Sequence, residues 1–222
     1  MSTYLSKDFH AFFKELAANN HKDWMDANRK RYADVIKKPF ENFVEAIQQR
    51  VSEFDEPIDA RPGEAIFRIN RDIRFSKDKT PYKTNRTAII SRHGRKDKVY
   101  PGFYIFVSPE KVMVGGGAYF LEKDNLFKVR QEIAYNLKEF DQIINEQSFK
   151  KNFSEILGEK NKVAPKEFKE DVETQPLLMN KGFYFMKNLP ADLILKEDSL
   201  DEIIAIIKTA KPLNDFLRRA LS

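Results

Sequence analysis

The 222-residue chain has no cysteine. That excludes a disulfide framework, a thiol nucleophile, Cys-ligated zinc and iron–sulfur clusters. Histidine is scarce as well: His10, His21 and His93 are the only three, too few for a His-rich metal centre. No metal site is expected, and no cofactor is indicated. Long apolar runs are missing, none approaching the roughly 20 residues that cross a bilayer. The opening "MSTYLSKDFHAFFKEL" lacks the uninterrupted apolar stretch and small-residue cleavage site of a leader. The expectation is a cytoplasmic protein with no membrane partner. Repeats, low-complexity tracts and Gly/Ser linkers are absent too, so a single domain over 1–222 is expected. A chain this long buries about 70% of its unfolded surface and needs no covalent staples.

Charge is what the sequence has, and it is unevenly spread. The net charge is +5, yet between Arg61 and Lys98 twelve Lys/Arg face only four acids. That segment carries +8, so the remainder carries −3. The density peaks in "FRINRDIRFSKDKTPYKTNR", with seven basic residues in the twenty from Phe67 to Arg86.

Periodicity places this segment in a fold. Phe9, Phe12, Phe13 and Leu16 make one helical stripe, and Phe40, Phe43, Val44, Ile47 and Val51 another. Asn20 is expected to cap a helix between them, and Pro39 to open the second stripe. Phe67, Ile69, Ile73 and Phe75 alternate with Arg68, Asn70, Asp72 and Arg74, the period of a strand. "GFYIFVSPEKVMVGGG" reads as two strands joined at Ser108–Lys111, and Phe183–Met186 as a short aromatic strand. Helical patterns return at Leu126, Val129, Ile133 and Leu137. "SLDE" at Ser199–Glu202 is a capping box, and Pro212 is expected to start a final helix. The whole is α+β: helical over 1–55, mainly strands over 64–120 and mainly helical over 121–222. A central, mostly antiparallel sheet is flanked by N-terminal and C-terminal helices.

On the basic segment, Arg68, Asp72 and Arg74 project to one side, neighbours about 7 Å apart. Asp72 between two arginines is held as the anion and can orient them. Arg71 falls on the apolar face and needs a partner there, since an unpaired buried charge is very costly. The loop beyond adds Lys77, Lys79, Lys83 and Arg86, with too few local acids for neutrality. One reading is an ion-pair network that pins the segment. The other is an anion site, phosphate above all, because guanidinium forks match its oxygens.

The run Arg68-x-x-Arg71-Asp72-x-Arg74-Phe75-x-x-Asp78-Lys79-x-x-Tyr82 resembles the signature of an uncharacterised family of bacteria and fungi, domain of unknown function 2461. "NNHKDWMDANRKRY" resembles that family's early helical segment, and "GGGAY" its glycine-rich strand end. Leu121 stands where the resemblance leads one to expect proline, and Met179 where relatives are often basic. The resemblance covers nearly the whole chain. It implies a shared fold and a site, but no reaction.

The remaining features are less specific. Gly115-Gly116-Gly117 fits neither a P-loop nor a dinucleotide fingerprint, and a close strand crossing explains it better than an anion cradle. Arg130 interrupts an apolar helix face and either reaches the basic site or meets an internal acid. Phe75, Tyr82, Tyr100, Tyr104, Phe106 and Tyr119 interleave with the cations, as in single-strand binders, but core packing is the better account. "KGFYFMKN" at Lys181–Asn188 partly matches an RNA-recognition octapeptide and reads the same way. Asp78 is either a base or cation ligand, or the acceptor that holds its own loop together. His93 lies in a solvated turn.

Three functions follow. The first is binding of a phosphorylated or other anionic small molecule, with Arg68, Arg71 and Arg74 positioning its oxygens, Asp72 orienting them, and Lys79, Tyr82 and Lys83 closing over it. The second is a phosphoryl-transfer or phosphodiester-hydrolysing enzyme on the same residues, with Asp78 and Asp72 the catalytic candidates and Asp78 the base or metal ligand. The third is a single-stranded nucleic-acid module.

Overall fold

The computed structural model describes residues 4–222. Helix α1 (Lys7–Ala18) buries Phe9, Phe12, Phe13 and Leu16, the stripe its spacing demands. Asn19 and Asn20 end it, and α2 (Lys22–Ala27) follows. The cap of α2 is not Asn20: the His21 side chain accepts from the Trp24 N–H, leaving Asn20 free for a longer-range role. A short turn at Arg29–Arg31 and a π-helical stretch at Tyr32–Lys37 run without a break into α3 (Lys38–Ser52). Pro39 therefore sits in the first turn of a continuing helix. The wider π turns precede a residue that has no N–H to donate and whose ring crowds the preceding carbonyls. Phe40, Phe43, Val44, Ile47 and Val51 are all buried from α3.

Four strands, β1 (Arg86–Ile90), β2 (Gly102–Val107), β3 (Lys111–Ala118) and β4 (Phe183–Pro190), form one antiparallel sheet in that order. The turn from β2 to β3 is closed by the Ser108 hydroxyl, which accepts from the N–H groups of Glu110 and Lys111. Later helices include α4 (Lys123–Tyr135) and α5 (Ser199–Leu221). Pro212 does not open a new helix but lies inside α5, and the Thr209 hydroxyl binds the Ile206 carbonyl in the turn before it. No helix among the described residues is long and apolar enough to cross a membrane.

The chain divides into two compact units. The first comprises the described residues up to Lys96, Tyr104–Val114 and Asn188–Ile204. Its core combines the α1 and α3 stripes with Ala88 and Ile90 of β1 and Ile105 and Val107 of β2. The second comprises Asp97–Phe103, Gly115–Lys187 and Ala205–Ser222. Its core is aromatic: Phe153 lies 4.6 Å from Phe185 and 5.2 Å from Phe149, and Phe140 lies 5.3 Å from Phe216. Phe183 and Phe185 are fully buried in β4, so the "KGFYFMKN" rings are packing groups.

The glycine run is a packing device of the same unit. A Cβ on Gly116 would stand 2.5 Å from the Gly102 carbonyl oxygen, and one on Gly117 2.3 Å from that of Phe183. Gly117 also has φ +94°.

One expected strand is not regular. Phe67–Phe75 pairs only intermittently with the chain that returns from Pro81 to Ala88. Isolated antiparallel bridges join Ile66 to Ala88 and Asn70 to Tyr82. Between those bridges the outgoing arm advances four residues and the returning arm six. The two surplus residues bend out at Thr84–Asn85, a bulge that interrupts the ladder. The regular strand is the next segment, Arg86–Ile90, which no alternation in the sequence marks. Alternation still governs exposure: Phe67, Ile69, Arg71 and Ile73 are half-buried while Arg68, Asn70, Asp72 and Arg74 are exposed. Phe75 breaks the pattern and is 96% exposed. Tyr119 is exposed too, so neither ring is the core residue expected of it.

Candidate functional site

The irregular hairpin is held by specific bonds. Arg71 N–H donates to the Pro81 carbonyl at 2.9 Å, and Lys83 N–H to the Ile69 carbonyl at 2.8 Å. From α1's end, the Asn20 side chain acts as a surrogate strand. Its Nδ2 donates to the Tyr82 carbonyl at 2.9 Å, and its Oδ1 accepts from the Tyr82 N–H at 3.1 Å. Tyr82 is buried beneath this clamp.

Several of the cations are satisfied internally. Arg71, on the inner face, donates to the Asp78 carboxylate and the Thr80 hydroxyl. Arg74 donates through Nε and Nη2 to both oxygens of Asp72, at 3.0 and 2.7 Å. That pair, with Arg68 nearby, holds the Asp72 carboxyl below the usual carboxylate range. Lys79 Nζ donates to the Ile73 carbonyl at 2.9 Å. This much is the ion-pair network that pins the segment.

Asp78 accepts from the Thr80 N–H and hydroxyl, each at 2.9 Å, as well as from Arg71. These bonds, the Thr80 N–H foremost, drive its carboxyl from 3.8 down to about 2. A carboxylate so held is a poor base near neutrality, and its geometry is that of a loop brace. Because the folded value lies below the unfolded one, the brace is complete above 3.8 and fails as pH drops towards about 2. The Thr80 amide proton should therefore titrate in NMR spectra with a midpoint near the lower value and lose the transition in Asp78→Asn. A midpoint at the ordinary carboxyl value would show that the brace does not form.

Other cations are not satisfied. Arg68 and Lys83 have neither a hydrogen bond nor an ion pair from their side chains among the described residues. Lys83 is half-buried, with Nζ 5.7 Å from the Phe67 ring centroid. Burial first, then Arg86 and Arg68, push its ammonium below the ordinary lysine range. Arg86 is only 5% exposed; its guanidinium lies 5.6 Å from the Phe40 ring and its Nε has no hydrogen-bond partner.

Beside Lys83 lies a cavity of about 480 Å³, lined by Phe67, Arg71, Asp72, Lys83, Asn85, Thr87, Tyr104 and Phe106. The bulge explains its polar wall. Lys83, Asn85 and Thr87, at every second position, all line the opening, whereas the buried Tyr82, Arg86 and Ala88 do not. Neither Asn85 nor Thr87 has a side-chain hydrogen bond among the described residues. The aromatic wall follows from the same alternation in β2. Phe103, Ile105 and Val107 turn into the core, so Tyr104 and Phe106 turn to the cavity.

Of the residues singled out from sequence, Arg71, Asp72 and Lys83 meet in this lining. Arg68, Arg74, Lys79, Asp78 and Tyr82 belong to the hairpin that frames it. Arg130 lies in the second unit, where its Nη2 donates to the Asn180 carbonyl at 2.9 Å. Asn85, Thr87, Tyr104 and Phe106 were missed as site residues. The signal for the polar pair was present in the alternation Lys83-x-Asn85-x-Thr87. No group of three or more His, Asp or Glu positioned for a metal ion occurs among the described residues.

Fold and site together define an α+β protein with one antiparallel sheet, whose first two strands and preceding basic hairpin line an open polar and aromatic cleft. Residues 8–216 match the family described as conserved hypothetical protein (DUF2461), and the chain belongs to that family. No curated protein matches it.

Proposed function

We propose that the chain binds a phosphorylated or otherwise anionic small molecule in the cavity beside Lys83. The observation that carries this reading is the Lys83, Asn85 and Thr87 row. Three side chains with unspent hydrogen-bonding capacity converge on one opening, and the cation among them is disfavoured by burial and by two neighbouring arginines. An anion supplies the missing counter-charge and accepts from donors of this row. Arg71 lines the same opening with its guanidinium already oriented by Asp78 and Thr80. Catalysis through Asp78 gains no support from a carboxylate that already accepts from Arg71 and twice from Thr80 and is held well below the usual range.

A thermal-shift screen with inorganic phosphate, sugar phosphates, nucleotides and short oligonucleotides tests the proposal. At a hundredfold excess over Kd a ligand stabilises the folded state by about 2.7 kcal/mol. A screen in which no anion raises Tm removes it. The pH dependence is a second check. An anion raises the Lys83 pKa by pairing with its ammonium, so affinity falls as pH rises through the lowered value of the free protein. The loss should begin below 10.5, the unperturbed lysine value, and should vanish in Lys83→Met.

A further inference from the structure

We infer that the anion bound in this cavity carries a flat ring, and that the ligand class is the nucleoside monophosphate. The inference rests on the anion-binding reading and adds the second half of the ligand. Three aromatic side chains, Phe67, Tyr104 and Phe106, line the same opening as Lys83, Asn85 and Thr87. A bare phosphate or phosphosugar uses only the polar row and leaves the aromatic wall against water. A base slid along that wall covers it, and stacking tightens binding by about tenfold or more.

The size agrees. About 480 Å³ of open cleft falls in the size range of sites that take drug-sized ligands and leaves room for a ring, a pentose and a phosphoryl group. The polar wall is suited to both ends. Lys83 and Thr87 donate to phosphoryl oxygens. Asn85 offers an amide donor and acceptor, the pattern that reads a base edge. Asp72 lines the cavity as an anion and accepts from a pentose hydroxyl through the lone pairs Arg74 does not use.

The same observations argue for a single nucleotide over a strand. A polymer needs a track of unspent cations beyond the stacking platform. Here Arg71, Arg74 and Lys79 donate to Asp78, Asp72 and the Ile73 carbonyl, and Arg86 is buried, so the unspent cations do not form an unbroken track along the hairpin.

Calorimetric titration of the full chain decides the point with four probes: inorganic phosphate, ribose 5-phosphate, a nucleoside 5′-monophosphate and a hexanucleotide. The expected result is a monophosphate bound at least about tenfold tighter than ribose 5-phosphate, with Phe106→Leu collapsing that ratio. The ratio in the unmodified protein is sufficient by itself should the variant not fold. Equal affinity for ribose 5-phosphate and the nucleotide overturns the ring preference while leaving the anion site intact. A hexanucleotide bound more than about tenfold tighter than the monophosphate, with a salt slope of several phosphates, overturns it in favour of a strand. Binding by none of the four overturns the anion reading itself.

Discussion

Replacing Gly117 with valine is expected to destabilise the chain by about 2–5 kcal/mol. Two costs combine. At φ +94° a branched side chain meets the backbone clash that disfavours left-handed conformations, about 1–2 kcal/mol. The new Cβ would also stand 2.3 Å from the Phe183 carbonyl oxygen and 2.9 Å from the Tyr184 Cα. Both are backbone atoms of β4, so relief requires β3 and β4 to part, adding about 1–3 kcal/mol as for other overpacked sites. Against a total stability of about 5–15 kcal/mol, much of the folded population is at risk. Urea unfolding followed by far-ultraviolet circular dichroism gives the measurement. The control is Gly63→Ala, where no atom lies within 4 Å of the added carbon and φ is not positive. It is expected to be neutral or stabilising by about 0.5 kcal/mol. Equal midpoints for the two variants would contradict the close approach of β3 to β4.

The second large effect concerns Lys83→Met. Anion affinity should drop by about 10–100-fold, the value of one charge-assisted hydrogen bond. The unliganded variant should at the same time melt higher than the parent. The sign follows from the lowered pKa. A lysine that holds its proton less firmly in the folded state than in the unfolded chain opposes folding at neutral pH, through burial and repulsion by Arg86 and Arg68. Methionine keeps the apolar stem against Phe67 and removes the charge. Loss of a merely structural lysine gives the opposite pattern: lower Tm and unchanged ligand binding. Paired melting and binding measurements on one preparation separate the two.

The helical parts of this fold were legible because each buried stripe is a local property. Phe9, Phe12, Phe13 and Leu16, and Phe40 to Val51, announce their faces within a few turns. The basic hairpin was half legible. Alternation from Phe67 to Arg74 gave the right faces, and the demand that Arg71 find a partner was met by Asp78 and Thr80. What spacing did not reveal was pairing. Whether an alternating segment joins a ladder depends on the strand beside it, and the return arm offers Pro81, which has no N–H, and then a bulge. The role of Asn20 was hidden for a related reason. An asparagine after a helix is a good cap in isolation, and only the arrival of Tyr82 from far along the chain gives it a better use. Tyr104 and Phe106 were assigned to the core because a strand's two faces look alike in sequence when both are apolar. Pro212 was read as a start because the proline rule is local, whereas burial of Leu213, Phe216 and Leu217 beyond it keeps one helix going.

The two surplus residues of the return arm make chain length itself a determinant of specificity. Four steps on one side and six on the other are both even, so the arms stay in phase: Tyr82 below the bulge and Arg86 and Ala88 above it all point inward. Removing one residue from Thr84–Asn85 leaves an odd excess, and one arm must then present its opposite face. Either Tyr82 leaves its clamp or β1 turns its apolar side to water. Substitution at these two positions changes the chemistry of the wall, whereas a single-codon deletion would invert it.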